Sequence, residues 1–392
     1  MINITIPFYT IIILMSAIFM LINPRETVQA ASQGLVLWYS VVFPALFPFF
    51  IVAELLVKIR FVNFMGIIME PIMRPLFRLP GCSALVLVLG FTCGFPVGAV
   101  LTRKLYDQQQ LTADEAERLL SFTNNASPLF ILGAVGIGML GNPQAGYLLA
   151  FAHYLSNFLL GILWRFRATP SNKRRRANPA NLKTACQAML PAADESVGIA
   201  NLLGDAIRNS LNNVMAVGGF IIVFSVLTRM LSWWGFIDVM AAFLLQFLQL
   251  LNLNYPQVYG LCMGIFEMTL GAKTTIANAS GSSLAGLMVI SAILAFSGLS
   301  IIAQVMSIMA GTPVRLSFYL ISRIVQLVLA CVITLLAYRL ALFYGIASLG
   351  VQAIPFHKVL YSFDAWTWAL KSMLVAFFII FVMLLSSLCR KR

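Results

Sequence analysis

Apolar runs of the length needed to cross a hydrocarbon core of about 30 Å recur along this chain, and they decide the solvent in which it folds. Residues 7–22 and 372–388 are the clearest. Only 10% of the 392 residues are charged and 60% are hydrophobic, whereas soluble domains carry about 25% charged residues. Too few charges remain to build a water-facing surface. A backbone immersed in lipid must be satisfied inside helices or a closed barrel. The runs are continuous and not alternating, which points to helices. The expected fold class is therefore an all-α polytopic membrane protein.

The net charge of +13 is concentrated between apolar spans, most densely at 165–183 and at Arg390, Lys391 and Arg392. That is the distribution of cytoplasmic loops under the positive-inside rule. Nucleic acid is not an expected partner, because the aromatic residues lie in the apolar spans and not among the basic ones. The six cysteines have no CxxC spacing and no neighbouring His. Neither disulfides, a metal site nor a cofactor is expected. Segment 7–22, followed by Val28, Gln29 and Ala30, loosely resembles a signal peptide. No Lys or Arg precedes it, so a retained first span is the preferred reading.

The chain reads as two copies of one unit. Gly94, Phe95, Pro96, Val97 and Gly98, then Phe122 to Ser127, are answered by Thr269 and Gly271, then Phe296 to Ser300. Gly98 and Gly271 are 173 residues apart, and Phe122 and Phe296 are 174 apart. Order is kept as well from 43–56 to 216–229, and from Trp164, Arg165 and Phe166 to Tyr338, Arg339 and Leu340. The expected organisation is a first span and loop (1–33), repeat one (34–166), a basic cytoplasmic linker (167–206), repeat two (207–340), and a loop with a C-terminal span (341–392). If both the linker and the C-terminus are cytoplasmic, one span at 372–388 places the end of repeat two outside, and the repeats have inverted topology. A further crossing within 341–370 would undo that inversion. Inverted repeats with broken helices are a transporter architecture, with the site near the midplane.

Each repeat has regions that cannot be plain crossing helices. In repeat one, Gly90, Gly94, Pro96 and Gly98 crowd the end of an apolar run, which favours a break or re-entrant hairpin. An amphipathic interfacial helix should follow at 111–120, with Thr112 and Glu115 as a capping box. Residues 122–128 are then polar and weak helix formers. In repeat two, Thr269, Gly271, Lys273, Thr274, Thr275, Asn278 and Ser280 to Ser283 crowd one stretch, and Ser297 to Ser300 interrupt the next apolar run. Broken backbone in a membrane is tolerated where it lines a cavity or packs on protein. Free N–H groups at helix starts suit an anion. The candidate substrate-binding residues are Phe95, Pro96, Gly98, Thr123, Asn124, Asn125, Ser127, Glu267, Thr269, Gly271, Lys273, Ser297 and Ser300. Gly98 and Gly271 read equally as helix-packing positions.

Ionisable residues in apolar segments are functional candidates. Lys273 could hold a carboxylate, and Glu267 could couple a proton or cation or pair with Lys273. Arg208, Arg229 and Arg323 read as span-end residues that snorkel to the interface. His153 reads as a helix-packing residue, and Glu54 stays open between a functional role and a water-facing span end. No nucleophile elbow, P-loop, HExxH or paired-carboxylate spacing occurs, so no enzyme is expected.

The strings VFPALFPFF (42–50), EPIMRPLF (70–77), GFPVG (94–98) and SFTNNASPLF (121–130) resemble a family of sporulation integral membrane proteins. That family carries the Gate, or nucleoside-recognition, domain, similar to the core of concentrative nucleoside transporters. The resemblance covers nearly the whole chain. It implies a role in spore formation in endospore-forming Firmicutes, placement in the outer forespore membrane, and movement of dipicolinic acid towards the forespore. It brings no catalytic residues. Three readings stay open at this level: a transporter of a small organic anion, a nucleoside transporter of the same fold, and a non-transporting scaffold for spore-envelope assembly. Expected partners are a small anionic substrate and the lipid bilayer. A homo-oligomer and a coupling ion, proton or sodium, are left open.

Overall fold

A computed structural model describes residues 5–168, 184, 188, 199–248, 253–277 and 283–343. The expected C-terminal span at 372–388, the basic tail, segment 344–370, most of the basic linker, and Asn278, Ser280, Gly281 and Ser282 lie outside these residues. Among the described residues the fold is helical with no strand. Helices α1 (Thr5–Ile22) and α2 (Pro24–Leu37) lead through a π-turn, Trp38–Val42, into α3 (Phe43–Lys58). Then come α4 (Phe61–Phe77), α5 (Ser83–Cys93), α6 (Val97–Asp107), α7 (Ala113–Thr123), a π-helix π2 (Leu129–Met139) and α8 (Pro143–Trp164). The second half holds α9 (Ile199–Trp233), α10 (Phe236–Leu248), α11 (Tyr255–Phe266), α12 (Met268–Ala277), α13 (Leu284–Phe296), α14 (Gly298–Ile308) and α15 (Leu316–Phe343).

Among the described residues four stretches are long and apolar enough to cross a membrane: Pro143–Arg167, Asn201–Trp233, Leu284–Ile308 and Leu316–Phe343. Thr10–Ile22 and Pro24–Ser40 make a fifth if their 107° bend lies within one span. On α15, Ile321, Ile324, Val328, Val332, Leu336 and Leu340 are exposed, at the three-to-four spacing of one helix face. The other face is buried and carries Tyr319, Ser322, Arg323, Gln326 and Thr334 among apolar residues. In lipid such an exposed stripe needs no protein partner, and helix association rests on close packing and interhelical hydrogen bonds.

Seven elements recur in order, α3 to α8 with π2 and then α9 to α15. Gly94 and Glu267, Asn124 and Ser297, and Pro143 and Leu316 are each 173 residues apart at matching breaks and starts. The packing is reciprocal. Helix α3 lies against its counterpart α9, and α8 against α15. Helix α7 packs on α15 while its counterpart α13 packs on α8, and α6 packs on α14 while α12 packs on π2. These contacts run in both directions between the two halves. Thr102 Oγ1 donates to the Gly98 carbonyl at 2.7 Å, and Thr275 Oγ1 to the Gly271 carbonyl at 2.9 Å. The two pairs occupy equivalent places.

Local chemistry fixes the helix starts. Thr112 and Glu115 form the expected capping box of α7, and Asn254 with Gln257 does the same for α11. Asn142 accepts from Gln144 and Ala145 N–H at 3.0 and 3.1 Å, with Pro143 opening α8. These are side-chain answers to orphan donors.

One expectation changes. The polar face of helix α7 is not free, because residues 116–123 are all buried. Its charges are paired. Arg118 donates to Asp114 at 2.9 Å and to the Phe77 and Arg78 carbonyls at 3.0 and 3.2 Å, closing the end of α4. Glu117 accepts from Arg315 Nε and N–H, each at 2.9 Å, and from Nη2 at 2.5 Å. An amphipathic pattern marks one polar face, and pairing has turned that face inward.

Candidate functional site

Two helix breaks touch in each half. The first lies between α5 and α6. Gly94 has φ +87° and stands against Ser127, so that an added Cβ would sit 2.8 Å from the Ser127 nitrogen. Phe95 and Pro96 complete the turn, and both are buried. Gly98 meets the second break, since a Cβ there would lie 2.5 Å from the Thr123 carbonyl oxygen and 3.1 Å from Asn124 Cα. Glycine is needed for close approach at this point.

The second break, between α7 and π2, is the stretch Asn124 to Ser127. Asn124 and Asn125 are fully buried. Asn125 Nδ2 donates to the Phe122 carbonyl at 3.0 Å, and Thr123 Oγ1 to Leu119 at 2.8 Å. Ser127 Oγ accepts from Phe130 N–H at 3.2 Å and starts π2. His153, from α8, accepts the Ala126 N–H through Nε2 at 3.3 Å, and Tyr154 donates to the Ala126 carbonyl at 2.9 Å. His153 thus fixes this break, as a packing residue that carries a specific bond. π-helical turns such as π2 are frequent at functional sites.

The third break is a single residue. Glu267 is extended, at φ −140° and ψ 116°, and its carboxylate accepts from Thr269 N–H at 3.1 Å and Leu270 N–H at 2.7 Å. It caps α12. Thr269, Gly271 and Lys273 therefore sit on a helix and not in the break. Gly271 packs back on α11, where a Cβ would lie 2.8 Å from the Gly260 carbonyl. Lys273 is exposed, and among the described residues it forms no ion pair with Glu267. The fourth break has two left-handed residues, Ser297 at φ +72° and Gly298 at φ +78°. Gly298 lies over the third break, against the Gly264 and Phe266 carbonyls and the Met268 nitrogen. Ser297 and Ser300 are both buried.

The halves meet around these breaks. Phe95 and Ala126 share one apolar cluster with Met268 and with Leu287, Ile290, Ile293 and Leu294 of α13. Helix α15 then reaches across to the end of α7. Tyr319 Oη accepts from Asn124 Nδ2 at 3.0 Å. Arg323 donates Nη1 to the Asn124 carbonyl at 3.3 Å and Nη2 to the Ser121 carbonyl, with its guanidinium 5.0 Å from the Tyr319 ring centroid. Arg323 is fully buried, and among the described residues no carboxylate pairs with it. Among the described residues its hydrogen-bond acceptors are the Ser121 and Asn124 carbonyls, at the negative end of α7.

This corrects the snorkelling expectation for Arg323. Arg229 instead pairs with Glu26 at 2.5 Å, and Glu54 is buried and paired with Lys104. The missed signal was the spacing of Tyr319, Ser322, Arg323 and Gln326, a polar face one to two turns long. Among the described residues no three His, Cys, Asp or Glu side chains gather as metal ligands.

The Gate family model, described as nucleoside recognition, matches residues 39–143. The chain is 40% identical over 322 residues to the sporulation integral membrane protein YlbJ of Bacillus subtilis (strain 168), covering 81% of this chain and 79% of that protein. It is 33% identical over 115 residues to an uncharacterized protein of Alkalihalophilus pseudofirmus, covering 28% of this chain and 24% of that protein. No solved structure matches.

Proposed function

Because this chain belongs to the family of the sporulation integral membrane protein YlbJ, we propose that it is a membrane transporter of a small organic anion, and that the anion is dipicolinic acid. The observation that carries the reading is the broken end of α7 held by a buried arginine of the other half that has no carboxylate partner among the described residues. Breaks free backbone groups to replace water around a solute. A buried cation facing only carbonyls favours an anion as its further neighbour. Asn124, Asn125, Glu267, Ser297 and Ser300 lie at or beside the breaks, and we assign them to the substrate path.

The reciprocal packing of the two halves supports alternating access, in which one half rocks against the other around a fixed site. We take the two-fold axis to lie in the membrane plane, with loop 165–183 and the C-terminus on the mother-cell side and the protein in the outer forespore membrane. Enzymatic chemistry has no part in this reading.

The test is uptake by protein reconstituted in liposomes, with labelled pyridine-2,6-dicarboxylate and labelled uridine offered side by side. Saturable uptake of the dicarboxylate, competed by its unlabelled form and not by uridine, is the expected result. Uptake of uridine alone would select the nucleoside reading. Uptake of neither by correctly inserted protein would select the scaffold.

A further inference from the structure

We propose that Gln326 and Arg323, one turn apart on α15, form the seat for a carboxylate of the transported anion, with Gln326 as the specificity-determining contact. This rests on the transport reading above and names the group that recognises the substrate.

The two-fold packing supplies the argument. With a shift of 173 residues, Arg323 corresponds to Ala150, Tyr319 to Gly146 and Gln326 to His153. At these places α8 carries two small residues, of which Gly146 packs on π2, and a histidine, while α15 carries a tyrosine and an arginine bonded to the end of α7 and, one turn on, a glutamine. A purely structural packing would not require that asymmetry, since α8 and α13 pack without it. His153 is occupied by the second break, through the Ala126 N–H. Its counterpart Gln326 is fully buried, and among the described residues neither its Nε2 nor its Oε1 has a hydrogen-bond partner.

Arg323 shows the same one-sidedness. Its two terminal nitrogens hold the end of α7, and its Nε has no partner among the described residues. Residues three apart on a helix share a face. An Nε–H and a primary amide are two donors that suit the two oxygens of one carboxylate. Asn124 can add a third. The Tyr319 hydroxyl both donates and accepts, so turning the Asn124 amide over keeps their bond and presents Nδ2 as a free donor.

A buried amide without partners costs stability. Such sites persist where function needs them. That sets the sign of the test. Gln326→Leu removes an unpartnered polar group at similar volume, so the ligand-free protein in detergent should melt at an equal or higher temperature. Its affinity for pyridine-2,6-dicarboxylate, measured by titration calorimetry, should fall about tenfold or more, the loss of one charge-assisted hydrogen bond. Arg323→Lys keeps the charge and should lose affinity as well, because Lys has no planar fork. Neutral pyridine-2,6-dicarboxamide should bind weakly to wild type, and Gln326→Leu should change its binding little. A lower melting temperature in Gln326→Leu with unchanged dicarboxylate affinity would make Gln326 a packing residue and overturn the proposal. Wild-type uptake of the dicarboxylate, matched by Gln326→Leu, would overturn the seat and leave the transport reading standing. Absence of uptake in wild type would remove both.

Discussion

Gly98→Ala tests the contact on which the first two breaks depend. The new Cβ would lie 2.5 Å from the Thr123 carbonyl oxygen, 2.8 Å from its carbon and 3.1 Å from Asn124 Cα, short of the 3.4 Å at which ordinary contact begins. All three atoms are backbone, so no flexible side chain can yield. Overpacking of this kind costs about 1–3 kcal/mol. Alanine returns up to about 1 kcal/mol of helix propensity, less near a helix start. A net loss of about 1–2 kcal/mol follows. The displacement also passes to Asn124, whose carbonyl and amide meet Arg323 and Tyr319. Substrate binding should therefore weaken along with stability. Gly219→Ala is the control, because a Cβ there meets nothing within 4 Å, and it should be neutral or stabilising. Thermal melts followed by tryptophan fluorescence, with dicarboxylate titration on the same samples, give both readouts. If Gly98→Ala melts with or above Gly219→Ala, the close-approach reasoning is refuted.

Two further outcomes follow from α7. Burial raises the Glu117 carboxyl, but the hydrogen bonds and charge of Arg315 outweigh it and hold the group below its ordinary value of 4.5. Its contribution should be present at neutral pH and be lost as pH falls below 4.5 through the lowered folded-state value. Glu117→Gln should lower the melting temperature at pH 7 and flatten that acid limb, and an unchanged acid limb would show that the pair does not carry it. Thr112→Ala removes the side-chain acceptor for Glu115 N–H at 3.3 Å and should cost about 1 kcal/mol. A melt indistinguishable from wild type would mean the cap is not needed to hold α7.

The helix breaks were legible in the sequence because glycine, proline and polar residues cannot hide in an apolar run. Gly94, Pro96, Asn124 and Ser297 all mark breaks in the structure. The capping box at Thr112 was legible for the same local reason. The assignment of Lys273 was not secured in this way. The sequence places it six residues after Glu267, but only the fold shows that Glu267 spends its carboxylate on the backbone N–H groups of α12. Arg323 and Gln326 were illegible for a different reason. Their spacing announces a polar face on α15, but which partner covers that face depends on the reciprocal crossing of the two halves, a long-range fact. Likewise the charges of α7 read as a solvated face until Arg315, 198 residues from Glu117, supplied the pairing.

Transport as proposed requires broken helices of both halves to meet, with a buried Arg323, unpaired with any carboxylate among the described residues, at the end of α7. Cryo-electron microscopy of the protein in lipid nanodiscs, with pyridine-2,6-dicarboxylate present, tests it most directly. The expected map shows interrupted helices at Gly94 and Glu267, with Arg323 against the end of α7 and a ligand carboxylate beside it and Gln326. A continuous helix through Glu267, or Arg323 turned to lipid or paired with a protein carboxylate, would contradict it.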